Sequence, residues 1–191
     1  METSLSLKSQ IRREVRMKGK QLSAALRDWQ SKEIMRLLED LSVFQRAHVV
    51  LLYAALPDEV QTLEFLQRWC RRKQLLLPVV VGNDLELRTF TGTEAMTVGS
   101  YGILEPMGLQ PFTDFSAIEL AIIPGVAFTL DGKRLGRGKG FYDRLLAHPA
   151  FRNVYKIGVA LSHQILPNLP TEQHDVFLDA VVTAASDKST F

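Results

Sequence analysis

Short apolar runs alternate along the chain with stretches of helical periodicity. Runs that are apolar on both faces are typical of buried strands. They occur at Ala47–Ala54, Gln74–Val81, Leu120–Ile123, Lys156–Ala160 and Ala180–Thr183. Leu85–Phe90 alternates polar and apolar residues after the turn Gly82-Asn83-Asp84 and indicates one further strand. The pattern predicts an α/β fold, with a mainly parallel central sheet covered by helices on both faces in a three-layer α/β/α arrangement.

Helical patterns fill most of the remaining chain. The first 42 residues predict two helices, the second capped by Ser23, with apolar positions that include Trp29 expected to face the core. Helical spacing also covers Glu59–Lys73 and Phe141–Leu146. We expect one domain over residues 1–191, in which the N-terminal helices (residues 1–42) pack on the α/β core.

Composition narrows the class of protein. The chain has 191 residues, of which 46% are hydrophobic and 23% charged, as in ordinary globular proteins. The longest apolar run has ten residues, from Ala47 to Leu56, whereas a membrane-spanning helix needs about 20. A single cysteine, Cys70, cannot form a disulfide within the chain. The start of the chain also lacks the pattern of a secretory signal, so we expect a cytoplasmic protein with no membrane partner. We separately expect a monomer.

The net charge of +2 conceals an uneven distribution. Residues 1–20 carry six basic and two acidic side chains, and residues 131–144 carry five basic and two acidic ones. Residues 171–191 are acidic, with one lysine against one glutamate and three aspartates. The two basic segments and the acidic segment lie far apart in the sequence, and only the fold can show whether they meet.

The basic segment from Asp131 to Arg144 is the most unusual stretch of the sequence. Its glycines let backbone N–H groups approach a phosphate, its interleaved cations neutralise one, and the helical pattern that follows adds a helix N-terminus. The spacing matches neither the P-loop nor the dinucleotide-binding fingerprint. From the residues alone, the segment is either a phosphate-binding loop or a flexible basic loop on the surface. A sugar-phosphate isomerase and a nucleic-acid-binding module therefore remain alternatives at this point.

The run R-L-G-R-G-K-G-F-Y-D at 134–143 closely resembles the nucleotide loop of the 5-formyltetrahydrofolate cyclo-ligase family. Other segments resemble family motifs in the same order along the chain: K-x-x-x-R at 8–12, P-D-E-V at 57–60, Y-G-I-L-E-P at 101–106, I-P-G-V-A-F at 123–128 and E-x-H-D at 172–175. The resemblance runs from about residue 7 to 183. It implies ATP- and Mg²⁺-dependent closure of 5-formyltetrahydrofolate to 5,10-methenyltetrahydrofolate through a phosphorylated formyl intermediate, with release of ADP and phosphate.

The resemblance also implies roles for individual residues. Catalytic roles fall to Arg137, Lys139 and Tyr142. ATP would contact Lys8, Arg12, Arg134, Leu135, Gly136, Arg137, Gly138, Lys139, Gly140, Phe141 and Tyr142. The folate would contact Glu59, Tyr101, Glu105, Arg137, Phe141 and Tyr142, with Phe90, Met96, Ile103 and Pro106 as further candidates for an apolar wall. Asp143 and Asp175 would hold Mg²⁺. The partners expected are therefore a small folate substrate and MgATP, and not a nucleic acid.

Several of these residues also have a purely structural interpretation. Lys8 and Arg12 share one face of a helix, which by itself is more typical of a solvated basic surface. A carboxylate such as Glu59 suits the adjacent N–H donors of a pterin, and it equally suits the first turn of a helix. The sequence alone does not choose between these interpretations.

Overall fold

The computed structural model describes residues 4–107, 110–172 and 175–184. The helices are α1 (Ser4–Gln21), α2 (Ala24–Asp40), α3 (Ser42–Arg46), α4 (Leu63–Trp69) and α5 (Phe141–Leu146). The strands are β1 (Val49–Leu51), β2 (Gln74–Val81), β3 (Asp84–Thr89), β4 (Met96–Val98), β5 (Leu104–Pro106), β6 (Leu120–Ile123), β7 (Ala127–Phe128), β8 (Arg134–Leu135), β9 (Tyr155–Ala160) and β10 (Ala180–Thr183).

Six strands form the central sheet in the order β10-β9-β6-β1-β2-β3. Every neighbouring pair is parallel except β2 and β3, which form an antiparallel hairpin at one edge. Pro78 is tolerated inside β2 because β1 pairs only with residues 74–76, so the proline lies beyond the end of that neighbour. The chain runs from β1 to β2 on one side and later returns to β6 on the other, which makes the β1–β6 pair a topological switch point.

Successive strand residues point to opposite faces of the sheet and fill two separate apolar clusters. On one face, side chains such as Val50 and Ile122 pack with residues of α2, α3 and α4. On the other face, Leu51 and Ile123 pack with residues of α5 and of the short segment Pro149–Arg152. The mainly parallel sheet with helices on both faces confirms the predicted α/β class.

Helix α1 packs against the ribbon of β7 and β8 instead of the sheet itself. Its Val15 is 3% exposed and lies in a third apolar cluster with Ala127, Leu135 and Leu169. The basic side chains of α1 are therefore held near the loop that follows β8. Within the described residues, no helix is long and apolar enough to cross a membrane.

Several features differ from the sequence predictions, and the first strand covers only Val49–Leu51 of the predicted Ala47–Ala54. The predicted helix 59–73 begins only at Leu63, because Glu59 turns back to accept a hydrogen bond from the Leu56 N–H at 3.0 Å. Trp29, expected in the core, is 43% exposed on the outer surface of α2. The antiparallel ribbons β4–β5 and β7–β8 were not predicted, because their strands have only two or three residues each.

Candidate active site

A cavity of about 490 Å³ opens at the switch point of the sheet. Residues that follow β1 (Tyr53 to Glu59) form one side of it, and Pro124 and Gly125 after β6 form another. The glycine-rich loop between β8 and α5 closes the cavity from the opposite side. Ligands of parallel sheets bind at this position, beyond the carboxyl ends of the strands.

Glu59 supplies a buried carboxylate to this cavity. Its side chain is 8% exposed, and its Oε2 accepts the Leu56 N–H. Burial raises the pKa of Glu59, and the attraction of Arg137 only partly offsets that effect. Glu59 lies four residues before α4, so the alternative role at a helix N-terminus does not apply.

Arg137 of the glycine-rich loop lies directly on Glu59. Its Nε and Nη2 donate to Glu59 Oε1 at 3.0 and 2.9 Å, and Nη2 also bonds Asp58 Oδ1. Burial works against the charge of Arg137, but the hydrogen bond to Asp58 and the attraction of Glu59 outweigh it and raise its pKa. The same bond and charge lower the pKa of Asp58 against the effect of burial. A predicted phosphate ligand and a predicted pterin ligand are thus in contact, although 78 residues separate them.

Arg134 of β8 lies just before the glycine-rich loop and makes several contacts there. Its side chain is 5% exposed, and it donates to the carbonyl of Pro124 at 2.9 Å and to Asp143 Oδ1 at 2.9 Å. Its guanidinium also lies 5.3 Å from the ring of Tyr142. The Tyr142 hydroxyl is buried and has no hydrogen-bond partner among the described residues. Burial, followed by the negative charge of Glu59, raises the pKa of Tyr142, so its hydroxyl stays protonated and can donate to a ligand.

The glycine-rich loop between β8 and α5 is shaped for the close approach of a ligand. Gly140, at φ +69°, occupies the left-handed region immediately before α5, where other residues are strained. Lys139 lines the cavity and has no ion-pair partner within the described part of the chain. Because α5 has only six residues, the loop backbone and its cations are the more important anion donors.

Helix α1 brings two further basic residues to the loop. Arg12 Nε donates to the Gly136 carbonyl at 2.8 Å. Lys8 is 6% exposed, and its Nζ lies 2.8 Å from Asp175 Oδ2 and 3.3 Å from Glu172 Oε2. The fold therefore brings the two basic segments and the acidic segment together. Lys8 and Arg12 do not lie on the solvated basic surface that their spacing alone would suggest.

The cavity contains most of the predicted site residues. Eleven of them line it: Glu59, Tyr101, Glu105, Arg134, Gly136, Arg137, Lys139, Gly140, Phe141, Tyr142 and Asp143. Five do not: Lys8, Arg12, Leu135, Gly138 and Asp175. Leu135 is 3% exposed and packs in the cluster below α1. Lys8 and Arg12 lie on α1, Gly138 lies in the loop itself, and Asp175 pairs with Lys8.

The apolar wall differs more from its prediction. Of the four further candidates only Ile103 lines the cavity, and Phe90 lies in the core at 1% exposure. The wall instead includes Tyr53, Pro78, Val80 and Leu85. Their position at or just after the carboxyl ends of strands, or at the start of the hairpin strand β3, is the signal that could have identified them.

Two wall residues have distinctive local geometry. Tyr101 adopts a left-handed conformation at φ +60°, is 61% exposed, and meets the Phe141 ring edge-on at 6.3 Å between centroids. Glu105 is 7% exposed and accepts the Val80 N–H at 3.2 Å, which leaves its other oxygen beside Gly99.

Carboxylates that could hold a metal are few. No group of three or more His, Cys, Asp or Glu side chains comes together among the described residues. Asp143 lines the cavity, and both Asp143 and Asp175 are close enough to raise the pKa of Arg12, against the larger lowering by burial and by Arg16. One or two carboxylates fit Mg²⁺, which keeps several waters and takes phosphate oxygens as further ligands, better than a metal that needs a complete protein cage. His174 of the acidic motif lies outside the described residues.

Comparison with known proteins identifies the family of the chain. A model of the 5-formyltetrahydrofolate cyclo-ligase family matches residues 5–184. The 5-formyltetrahydrofolate cyclo-ligase of Escherichia coli K12 is 33% identical over 143 residues, which cover 72% of this chain and 78% of that protein. The Haemophilus influenzae protein of the same name is 29% identical over 174 residues, covering 88% and 93%. The solved structure of Aquifex aeolicus 5,10-methenyltetrahydrofolate synthetase superposes with a TM-score of 0.81 at 35% identity, covering 92% of this chain and 89% of that one. The chain belongs to the 5-formyltetrahydrofolate cyclo-ligase family and is a ligase.

Proposed function

We propose that this ligase closes 5-formyltetrahydrofolate to 5,10-methenyltetrahydrofolate at the expense of ATP, with Mg²⁺, and releases ADP and phosphate. The contact between Arg137 and Glu59 carries the proposal. It joins an anion-binding loop to a carboxylate suited to a pterin, inside one cavity of about 490 Å³. Such a junction is what a reaction between a folate and a nucleoside triphosphate requires.

The folate is expected to enter with its pterin ring toward Glu59. A carboxylate pairs with the adjacent N–H donors of the 2-aminopyrimidinone ring through two hydrogen bonds. Pro78, Val80 and Ile103 supply the flat apolar surface that the ring needs. Tyr101, Glu105 and Phe141 are expected to contact the folate further along this wall.

The triphosphate is expected to lie against the glycine-rich loop. Arg134, Lys139 and the backbone of the loop face the cavity and neutralise the charge of the triphosphate. Lys8 and Arg12 of α1 add positive charge beside the loop. When phosphate binds, Arg137 is expected to turn from Glu59 toward it, so that the Glu59 carboxylate becomes available to the pterin. Arg137 thus serves both substrates.

In the reaction, the formyl oxygen attacks the γ-phosphorus and the bond from that phosphorus to ADP breaks. The formyl carbon then carries phosphate as a leaving group. The lone pair of the anilino nitrogen adds to this carbon, the anilino proton passes to water, and the carbon–oxygen bond breaks to release phosphate. Arg137 and Lys139 stabilise the charge on the transferring group. The buried Tyr142 hydroxyl donates a hydrogen bond to the formyl or phosphate oxygen.

Mg²⁺ fits the two carboxylates described above. Asp143 and Asp175 would hold it, together with phosphate oxygens and water, and the bound ion would offset the negative charge of the phosphates. Asp143 is fixed by Arg134 at 2.9 Å, and Asp175 by Lys8 at 2.8 Å. These ion pairs orient both carboxylates before any ligand binds.

The decisive experiment incubates the protein with 5-formyltetrahydrofolate, ATP and magnesium. Formation of the methenyl product is followed by its absorbance, and ADP is measured in parallel. We expect one ADP for each methenyl product, and no product without ATP or without magnesium. Turnover that persists without ATP would contradict the proposal. Size-exclusion chromatography of the same preparation tests the expected monomer, and cell fractionation tests the expected cytoplasmic location.

A further inference from the structure

Arg144 of α5 has no role in the function proposed above, and it does not line the cavity. Its side chain is 46% exposed, yet every nitrogen of its guanidinium has an acceptor. Nη1 donates to the Lys139 carbonyl at 3.1 Å, Nε donates to Asp84 Oδ1 at 3.0 Å, and Nη2 donates to the Asn83 carbonyl. The guanidinium also lies 5.5 Å from the centre of the Phe141 ring. A planar fork with three acceptors fixes geometry in a way that a single surface ion pair does not.

Two of these acceptors belong to a rigid part of the structure, the turn between β2 and β3. The two strands pair antiparallel through six residue pairs that end at Val81 and Asp84, so only Gly82 and Asn83 lie between the last paired residues. Two-residue turns of this kind have a backbone that is fixed by their strands. Arg144 is therefore anchored from outside the glycine-rich loop, at the edge of the central sheet.

The third acceptor, the Lys139 carbonyl, belongs to a peptide group of the loop. No peptide bond of the described residues is cis, and in a trans peptide the C=O and the N–H point to opposite sides. Because the Lys139 carbonyl points toward Arg144, the N–H of the same peptide, that of Gly140, points away from Arg144. Gly140 lines the cavity, and its N–H donates to no atom of the described residues. An unused donor thus lies on the cavity side of the loop.

We propose that Arg144 is a positioning residue for nucleotide binding, which holds the peptide between Lys139 and Gly140 so that the Gly140 N–H faces a phosphate oxygen. The proposal rests on the proposed function, because it takes the triphosphate to lie against the glycine-rich loop. A peptide next to glycine turns over easily, since glycine adopts both signs of φ. The turned peptide would present its carbonyl oxygen, with its partial negative charge, to the phosphates. Arg144 prevents that orientation before any ligand binds.

The expected effect follows from the share of molecules whose loop is correctly oriented. The Kd of a ligand rises in inverse proportion to the share of the protein that is competent to bind it. If about a third to a tenth of the loops keep the correct orientation without Arg144, the Kd for nucleotide rises about three- to tenfold.

Isothermal titration with ADP and magnesium measures this Kd without any turnover of folate. Arg144→Gln and Arg144→Lys should each raise it about three- to tenfold, while the Kd for 5-formyltetrahydrofolate changes less than about twofold. Lysine keeps the positive charge but lacks the planar fork that joins the two segments, so this variant separates orientation from attraction.

Arg36→Gln is the matched control. Arg36 of α2 is 56% exposed, bonds two carboxylates, Glu33 and Asp40, and does not line the cavity. Its Kd for ADP should equal that of the unaltered protein. Thermal unfolding of all three variants checks that they are folded at the temperature of the titration.

Nuclear magnetic resonance of the Gly140 amide gives a readout that a merely structural role would not move. In the unliganded, unaltered protein its order parameter should be about 0.85, that of a rigid backbone, and in Arg144→Gln it should fall below about 0.6. An order parameter that stays the same in both proteins would overturn the proposal.

Each result of the titrations also bears on the proposal. A Kd for ADP in Arg144→Lys equal to that of the unaltered protein would overturn it, because charge alone would then explain the effect. A Kd for folate that rises as much as the Kd for ADP would overturn it as well, and would assign Arg144 to the general shape of the cavity. If the unaltered protein binds ADP but forms no methenyl product, the proposed function fails, and the ratio of the ADP Kd values still tests Arg144. Absence of ADP binding by the unaltered protein would overturn the role of Arg144.

Discussion

Replacing Glu59 with glutamine tests the junction between the two substrates most directly. The change keeps the shape of the side chain and removes its charge. A carboxylate can accept both pterin N–H groups, whereas an amide offers one oxygen and sets an NH₂ against the second donor. Because Glu59 is only 8% exposed, solvent cannot replace the lost acceptor.

The size of the effect follows from that lost bond. A hydrogen bond to a charged group contributes about 1.5–3 kcal/mol, which corresponds to a rise in folate Kd of about tenfold to 150-fold. Isothermal titration with 5-formyltetrahydrofolate in the absence of ATP measures it. The matched control is Asp58→Asn, since Asp58 contacts the same Arg137 but is 52% exposed, and its Kd should change less than about threefold. A folate Kd that is unchanged in Glu59→Gln, or raised equally in both variants, would refute the assignment.

The same substitution has a pH-dependent consequence for stability. Burial raises the pKa of Glu59 above its ordinary value of 4.5, so the folded state binds this proton more tightly than the unfolded state. The unaltered protein therefore loses stability relative to Glu59→Gln as the pH rises from 4.5 through the raised pKa. Urea unfolding of both proteins at pH 4 and pH 7 measures the difference in free energy of unfolding. A difference that is constant, or that moves toward the unaltered protein as the pH rises, would contradict this.

Other substitutions test separate parts of the structure. Arg137→Ala should lower kcat by about 100-fold or more while the protein stays folded, because a charge aimed at the transferring phosphate is lost; unchanged turnover would remove Arg137 from the mechanism. Asp143→Ala should raise the magnesium concentration needed for half-maximal rate, and an unchanged magnesium dependence would refute its role as a ligand. Gly132→Ala should cost about 2–4 kcal/mol of stability in thermal unfolding, because Gly132 has φ +91° and an added Cβ would lie 2.2 Å from the Leu178 carbonyl oxygen. Gly82→Ala is its control, with φ +61° and open space around the Cβ, and should cost only about 1 kcal/mol; equal losses would show that the contact does not matter.

The sequence predicted the elements whose signal is local. Gln74–Val81, Leu120–Ile123 and Ala180–Thr183 are strands with the predicted bounds, because each is a short, largely apolar run of the kind that is typical of a strand. Helix α5 also has its predicted bounds. The start of α4 was wrong by four residues, because side-chain bonds that no helix contains hold that segment: Glu59 accepts the Leu56 N–H, and the hydroxyl of Thr62 donates to the Tyr53 carbonyl at 2.7 Å. Helical spacing does not reveal such a bond.

In the candidate site, too, local sequence signals were predictable and contacts between distant segments were not. The glycine-rich loop was identified from its composition, and the resemblance to the cyclo-ligase family added residues such as Lys8 and Glu59. That Arg137 rests on Glu59, and Lys8 on Asp175, depends on packing between segments far apart in the chain. Of the four further candidates for the apolar wall only Ile103 lines the cavity, because partly buried strand residues such as Val80 and Leu85 line it only through the way that the strands end there.

The ion pair between Lys8 and Asp175 has a consequence for biosynthesis, since it spans 167 residues. A ribosome releases Lys8 167 residues before Asp175, so α1 cannot complete the site until that length of chain has emerged. The sheet strands β1, β2 and β6 can pair earlier, and contacts of such long range form slowly. During synthesis the basic face of α1 is therefore exposed without its acidic partners, and an incomplete chain is not expected to have activity.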